Sequence, residues 1–143
     1  MNLTTETYAE ICKQSSFICA LVAGFSFAFL GSLLISSIKS KIINLVMSFS
    51  FFSIAGLLIC SLVWTLTASR MIFYIGSNIT QVPQSYLDIN RILSLIFILS
   101  FLSFLVTLGL SGWIKSRNLG LVSTIISLIS TLFFFVIMKQ FVV

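Results

Sequence analysis

Charged residues divide the chain into four long apolar runs. No Asp, Glu, Lys or Arg falls within 14–38, 42–69, 92–114 or 118–138. A helix needs about 20 residues to cross the hydrocarbon core of a bilayer, so each run suffices for one crossing and none for two. Lipid offers no partner to backbone N–H and C=O groups, so each run has to satisfy its own by coiling into a helix. The many Ile, Val, Phe and Thr residues favour strands in water, but continuous apolarity overrides that preference. The alternation of apolar and polar residues that marks an outer-membrane barrel is absent. The pattern predicts an all-α fold: an integral membrane four-helix bundle in one domain, 1–143. Its spans lie over 15–38, 42–69, 92–114 and 118–138, with a loop over 70–91.

The links are unequal. Those around 37–41 and 115–118 are very short, which forces antiparallel neighbours. The loop over 70–91 holds the sole proline, Pro83, and opens with the apolar stretch 71–75, which either extends the second helix or lies along the membrane surface. That loop is either a place for a partner contact or a plain connector. The first run is too long for a cleavable signal peptide and is preceded by Glu6 and Glu10. Trp64 and Trp113 fall near span ends, as interfacial aromatics do.

Composition supports the same picture. Only 8% of the 143 residues are charged, against about a quarter in a soluble domain, and the mean hydropathy is +1.19. The net charge of +5 comes from eight Lys and Arg against Glu6, Glu10 and Asp88. The basic residues stand singly or in pairs at the ends of runs, so they read as membrane anchors and not as contacts to nucleic acid. Orientation stays open. Lys13, Arg70, Arg91 and Lys139 lie on the side of the termini, and Lys39, Lys41, Lys115 and Arg117 on the other. The denser charge of the short loops tilts the balance toward both termini outside. The triplets beginning at Asn2 and Asn78 match glycosylation acceptors on that side. Cys12, Cys19 and Cys60 form no CxxC and no metal spacing, and histidine is absent. Cys19 and Cys60 read as small apolar fillers.

No ionisable group lies at mid-membrane, which argues against a proton-driven pump. No carboxylate pair, metal cluster or base beside a nucleophile is present, so neither an enzyme nor a cofactor is expected. The spans instead carry small and hydroxyl residues four apart. The first has Ser16, Ala20, Gly24, Ala28, Ser32 and Ser36, the third Ser103, Thr107 and Ser111, and the fourth Ser123, Ser127 and Thr131. Small residues at this interval let two helix backbones approach closely. A helix turns about 100° per residue, so each step of four drifts about 40° and the first row winds round its helix. Two uses are open: packing within one bundle, or copies gathered about an axis with the row along a narrow path. Phe17, Leu21, Phe25 and Phe29 are the candidate constriction residues of such a path. Phe133, Phe134 and Phe135 read as lipid-facing or core.

The run KQSSFICALVAGF at 13–25 resembles the start of the pore helix of the Orai calcium-channel family, with its Lys-x-Ser-Ser-x-x-x-Ala-Leu-x-x-Gly-Phe pattern. The matching positions are Lys13, Ser15, Ser16, Ala20, Leu21, Gly24 and Phe25. Trp113, Ile114 and Lys115 are similar to that family's Trp-Val-Lys, and the four-span layout agrees. The resemblance implies a ring of subunits with Phe17, Leu21, Gly24, Ala28 and Ser32 facing the axis, and both termini in the cytoplasm. The family's selectivity glutamate would fall at Ser32 and a basic pore position at Phe17, so calcium selectivity is not carried over.

The expected protein is a multi-pass protein, with the cell membrane as its location. It would be a homo-oligomeric ion channel or pore with a largely uncharged path, the first span nearest the axis. The alternative is a non-conducting scaffold or accessory subunit of a larger membrane complex. The expected partners are the lipid bilayer, further copies of the chain and such a complex.

Overall fold

The computed structural model describes residues 4–35, 41–77 and 81–142, with side chains described up to Val136. Ser36, the first short link and the asparagines of both glycosylation triplets lie outside the described residues. The described residues form four long helices: α1 Thr5–Ile35, α2 Lys41–Gly76, α3 Gln84–Ser111 and α4 Arg117–Val142. A short 3-10 turn, Gly112–Ile114, follows α3. All four helices are long and apolar enough to cross a membrane, which makes this a multi-pass membrane protein.

The first three helices are longer than the charge-free runs. The expected loop over 70–91 is largely helix: α2 continues to Gly76 and α3 begins at Gln84. The apolar stretch 71–75 therefore extends α2. Likewise α1 begins at Thr5, well before residue 15. The physical reason is that charge marks where a chain leaves lipid, not where its backbone stops coiling. At about 1.5 Å per residue, the 36 residues of α2 run about 54 Å, well beyond the roughly 30 Å hydrocarbon core. The added turns of α1, α2 and α3 meet at one end of the molecule. There the Tyr8 hydroxyl donates to the Tyr86 carbonyl at 3.1 Å, and the Thr4 and Gln81 backbones form a bridge.

Local chemistry sets the helix ends. The Thr7 amide donates to Thr4 Oγ1 at 3.3 Å, capping α1. Pro83, extended at φ −62° and ψ 140°, precedes α3, where its fixed φ and missing N–H cost nothing. Ser116 caps α4 through its hydroxyl, which accepts from the Leu119 amide at 3.3 Å.

The helices pack in chain order, α1 on α2, α2 on α3 and α3 on α4, and α4 makes no comparable contact with α1. The interior is unlike that of a soluble protein. Its buried residues include Ala9, Cys12, Cys19, Ala23, Ser26, Ser50, Ser53, Cys60, Ser100, Ser103 and Thr107, whereas Phe, Leu and Ile dominate the exposed surface. Lipid is as apolar as leucine, so nothing drives large apolar side chains inward, and close approach of small residues holds the helices together. Gly56 is the tightest such point: a Cβ there would collide with the Ser100 side chain. At the α3–α4 link, Gly112 lies against Leu119 and Ser123, and Gly120 against the Trp113 ring.

One aromatic expectation is revised and another holds. Trp64 is buried, and its indole N–H donates to Asn90 Oδ1 at 2.9 Å, so it joins α2 to α3 and is not an exposed interfacial anchor. Phe134 packs on Phe101 with ring centroids 4.9 Å apart, while Phe133 and Phe135 are exposed.

Gly56→Ala is expected to destabilise the protein by about 1–3 kcal/mol, the usual cost of overpacking. Gly24→Ala, with nothing within 4 Å of the added carbon, should be neutral or stabilising. Thermal unfolding of both variants in detergent checks this.

Candidate functional site on the first helix

Apart from Tyr8, the buried residues of α1 fall in alternating steps of four and three: Thr5, Ala9, Cys12, Ser16, Cys19, Ala23, Ser26, Leu30 and Leu33. The same rhythm runs through α2 at Ile43, Val46, Ser50, Ser53, Leu57, Cys60, Trp64, Thr67 and Met71. A repeat of 3.5 residues keeps one stripe of a helix against its partner along the whole length. On α1 that stripe is built almost wholly of small residues.

Hydroxyl groups fasten the stripe. Ser16 Oγ donates to the Ser61 carbonyl at 2.9 Å and lies 2.6 Å from Thr65 Oγ1. Ser61 Oγ donates back to the Ser16 carbonyl at 3.1 Å. Cys19 and Cys60, both fully buried, sit just beyond this clasp toward mid-membrane, and the Cys60 thiol donates to the Leu93 carbonyl at 3.6 Å. Ser26 returns its hydroxyl to the Val22 carbonyl one turn back. The hydroxyl oxygens of Ser50, Ser53 and Ser100 are buried without a hydrogen-bond partner.

The small-residue row picked out in the sequence parts from this stripe after its first member. Ser16 is buried in the clasp, but Ala20, Gly24, Ala28 and Ser32 are exposed. The drift of about 40° per step carries them round the helix. Phe17, Leu21 and Phe25 are exposed as well, Phe17 at 68%, and Phe29 is half-buried. At about 100° per residue, Phe17, Leu21, Gly24, Phe25, Ala28 and Ser32 occupy one arc about 100° wide, roughly opposite the stripe that meets α2. Among the described residues, nothing beyond the local helix backbone lies within 4 Å of a Cβ added at Gly24 or Gly31. Toward the amino terminus the same arc continues as Glu6, Glu10, Lys13 and Gln14, all exposed. Glu10 and Lys13 pair there at 3.7 Å.

The rows on α3 and α4 do join helices. Ser103 Oγ donates to the Phe49 carbonyl at 3.0 Å, linking α3 to α2. Thr107 is buried and returns its hydroxyl to Ser103, and Ser111 returns its own to Leu108. From α4, Ser123 donates to the Gly109 carbonyl at 2.8 Å and Ser127 to the Leu105 carbonyl at 2.6 Å. Thr131 bonds only within its own helix, to Ser127.

Steps of four through Ser16 do not reach Ala9, Cys19, Ala23 and Ser26. The alternation of threes and fours among small residues was the signal that marks them. Asn90, which holds the Trp64 indole, carries no such signal, because its partner lies 26 residues away in sequence.

No family model, no curated protein and no solved structure matches the chain.

Ser16→Ala is expected to cost about 1 kcal/mol of stability, within the measured range for interhelical hydrogen bonds in membranes. Ser32→Ala, whose exposed hydroxyl bonds only to Phe29 of its own turn, should change stability by less than about 0.5 kcal/mol. Unfolding in mixed micelles distinguishes the two.

Proposed function

We propose that the protein is the subunit of an oligomeric membrane channel or pore with a largely uncharged path, in which α1 stands nearest the axis. One observation carries this reading. The arc of α1 bearing Phe17, Leu21, Gly24, Phe25, Ala28 and Ser32 is turned away from α2 and, among the described residues, is covered by no other helix. Copies meeting through that arc would use Gly24 and Ala28 for close approach and Phe17 and Leu21 as an apolar constriction, a gate that needs no buried charge. Glu6, Glu10, Lys13 and Gln14 continue the arc and would give the path a polar mouth.

Antiparallel neighbours belong to the same reading. From Trp64–Asn90 to Phe49–Ser103, partner numbers fall along α2 as they rise along α3. Conduction is then passive, neither catalytic nor proton-coupled, and its setting is the cell membrane.

A second reading, a non-conducting scaffold or accessory subunit of a larger complex, is favoured by α4. Only 6% of the apolar window of α4 is buried within the chain, which leaves it open to a different membrane protein.

Purified protein in liposomes should pass small ions and migrate as a single oligomer in detergent. Gly24→Leu should abolish the flux and shift the oligomer toward monomer, whereas Phe133→Leu should leave both unchanged. A monomer without flux at any applied voltage defeats the channel, and stable co-purification with a larger complex then supports the scaffold.

A further inference from the structure

We infer that Arg70 holds the phosphate of an anionic phospholipid in a groove on the outer face of α2. Arg70 closes the charge-free run 42–69, so its side chain stands at the level where lipid tails give way to headgroups. An open groove of about 400 Å³ surrounds it, lined by Leu66, Ser69, Arg70, Phe73 and Tyr74. These positions are spaced three and four apart and form one face of the helix.

The guanidinium is held from one side. Its Nη1 donates to the Tyr86 hydroxyl at 3.5 Å. Tyr86 is steadied in turn by the edge of Tyr74, with ring centroids 6.1 Å apart, and by the Tyr8 hydroxyl on its carbonyl. The remaining N–H donors meet no carboxylate among the described residues. The ion pairs among the described residues are Lys13–Glu10 and Arg91–Asp88, each confined to its own helix. A planar guanidinium with free donors matches the two oxygens of a phosphate.

The rest of the groove argues for a lipid over a free anion. Leu66 and Phe73 flank Arg70 and are 64% and 73% exposed, and Leu66 lies one turn nearer the membrane interior. A headgroup bound at Arg70 would lay its acyl chain along Leu66, whereas a soluble phosphate gains nothing from these side chains. The Ser69 hydroxyl is already committed to the Thr65 carbonyl, so it shapes the wall and donates nothing to the ligand.

The test is native mass spectrometry of the detergent-solubilised protein with phosphatidylglycerol or phosphatidylcholine of the same chain length. The wild type should retain the anionic lipid about fivefold better, the factor one basic residue contributes at a membrane surface. Arg70→Gln should reduce that retention to the level of the zwitterionic lipid. Arg91→Gln, altering a residue already paired with Asp88, should not. Millimolar inorganic phosphate should leave the bound lipid in place. Equal retention of the two lipids by the wild type overturns the inference without recourse to any variant. Undiminished retention by a normally melting Arg70→Gln also overturns it, as does displacement by inorganic phosphate, which would point to a soluble anion.

Discussion

Lipid supplies no hydrogen bonds, and that constraint organises the whole molecule. Hydroxyl groups turn inward, where the carbonyls of a neighbouring helix or of the preceding turn can receive them. Ser16, Ser103, Ser123 and Ser127 bond across helices, while Ser26 and Thr107 bond back along their own. Small residues then line the seams, because only they bring a hydroxyl within reach of a neighbouring backbone. Most large apolar side chains are left for the outside, although Leu57, Trp64, Met71 and Leu93 share the seams. Gly56 shows the second requirement at its tightest, a missing side chain on α2 making room for the Ser100 side chain of α3.

The same constraint gives α1 two faces of different character. Its inner face, from Thr5 to Leu33, is committed to α2 along an unbroken 3.5-residue stripe. Among the described residues, its outer face is exposed. Beyond the apolar runs, the amino-terminal turns of α1 and α3 hold each other through Tyr8 and Tyr86, and within the second run Trp64 ties α2 to Asn90 of α3.

Much of the architecture was legible in the sequence, and for a simple reason. The cost of burying a charge in lipid is so high that uncharged runs longer than about 20 residues report the spans directly. Helix length was less legible, because nothing compels a helix to stop at the membrane surface, as α1 and α2 demonstrate. The seam was present in the sequence but at another period. Steps of four follow Ser16 off the contact stripe toward Ala20 and Gly24, whereas alternating steps of four and three lead to Cys19, Ala23 and Ser26. Trp64 misled because an indole near a run's end resembles an interfacial anchor until its distant partner, Asn90, is known. The candidate site was legible as a set of residues on one helix, and the structure adds which way that set faces.

Packing in chain order bears on how such a protein is made. Every helix finds its principal partner in the one just before it, so no pairing has to wait for a distant segment to emerge. Assembly can follow synthesis step by step, with little of the entropic cost of closing long loops. The final helix arrives on a platform already built and, among the described residues, rests against α3 and the short 3-10 turn that follows it. Lightly moored, with only 6% of its apolar window buried, it is the helix whose departure would disturb the other three least.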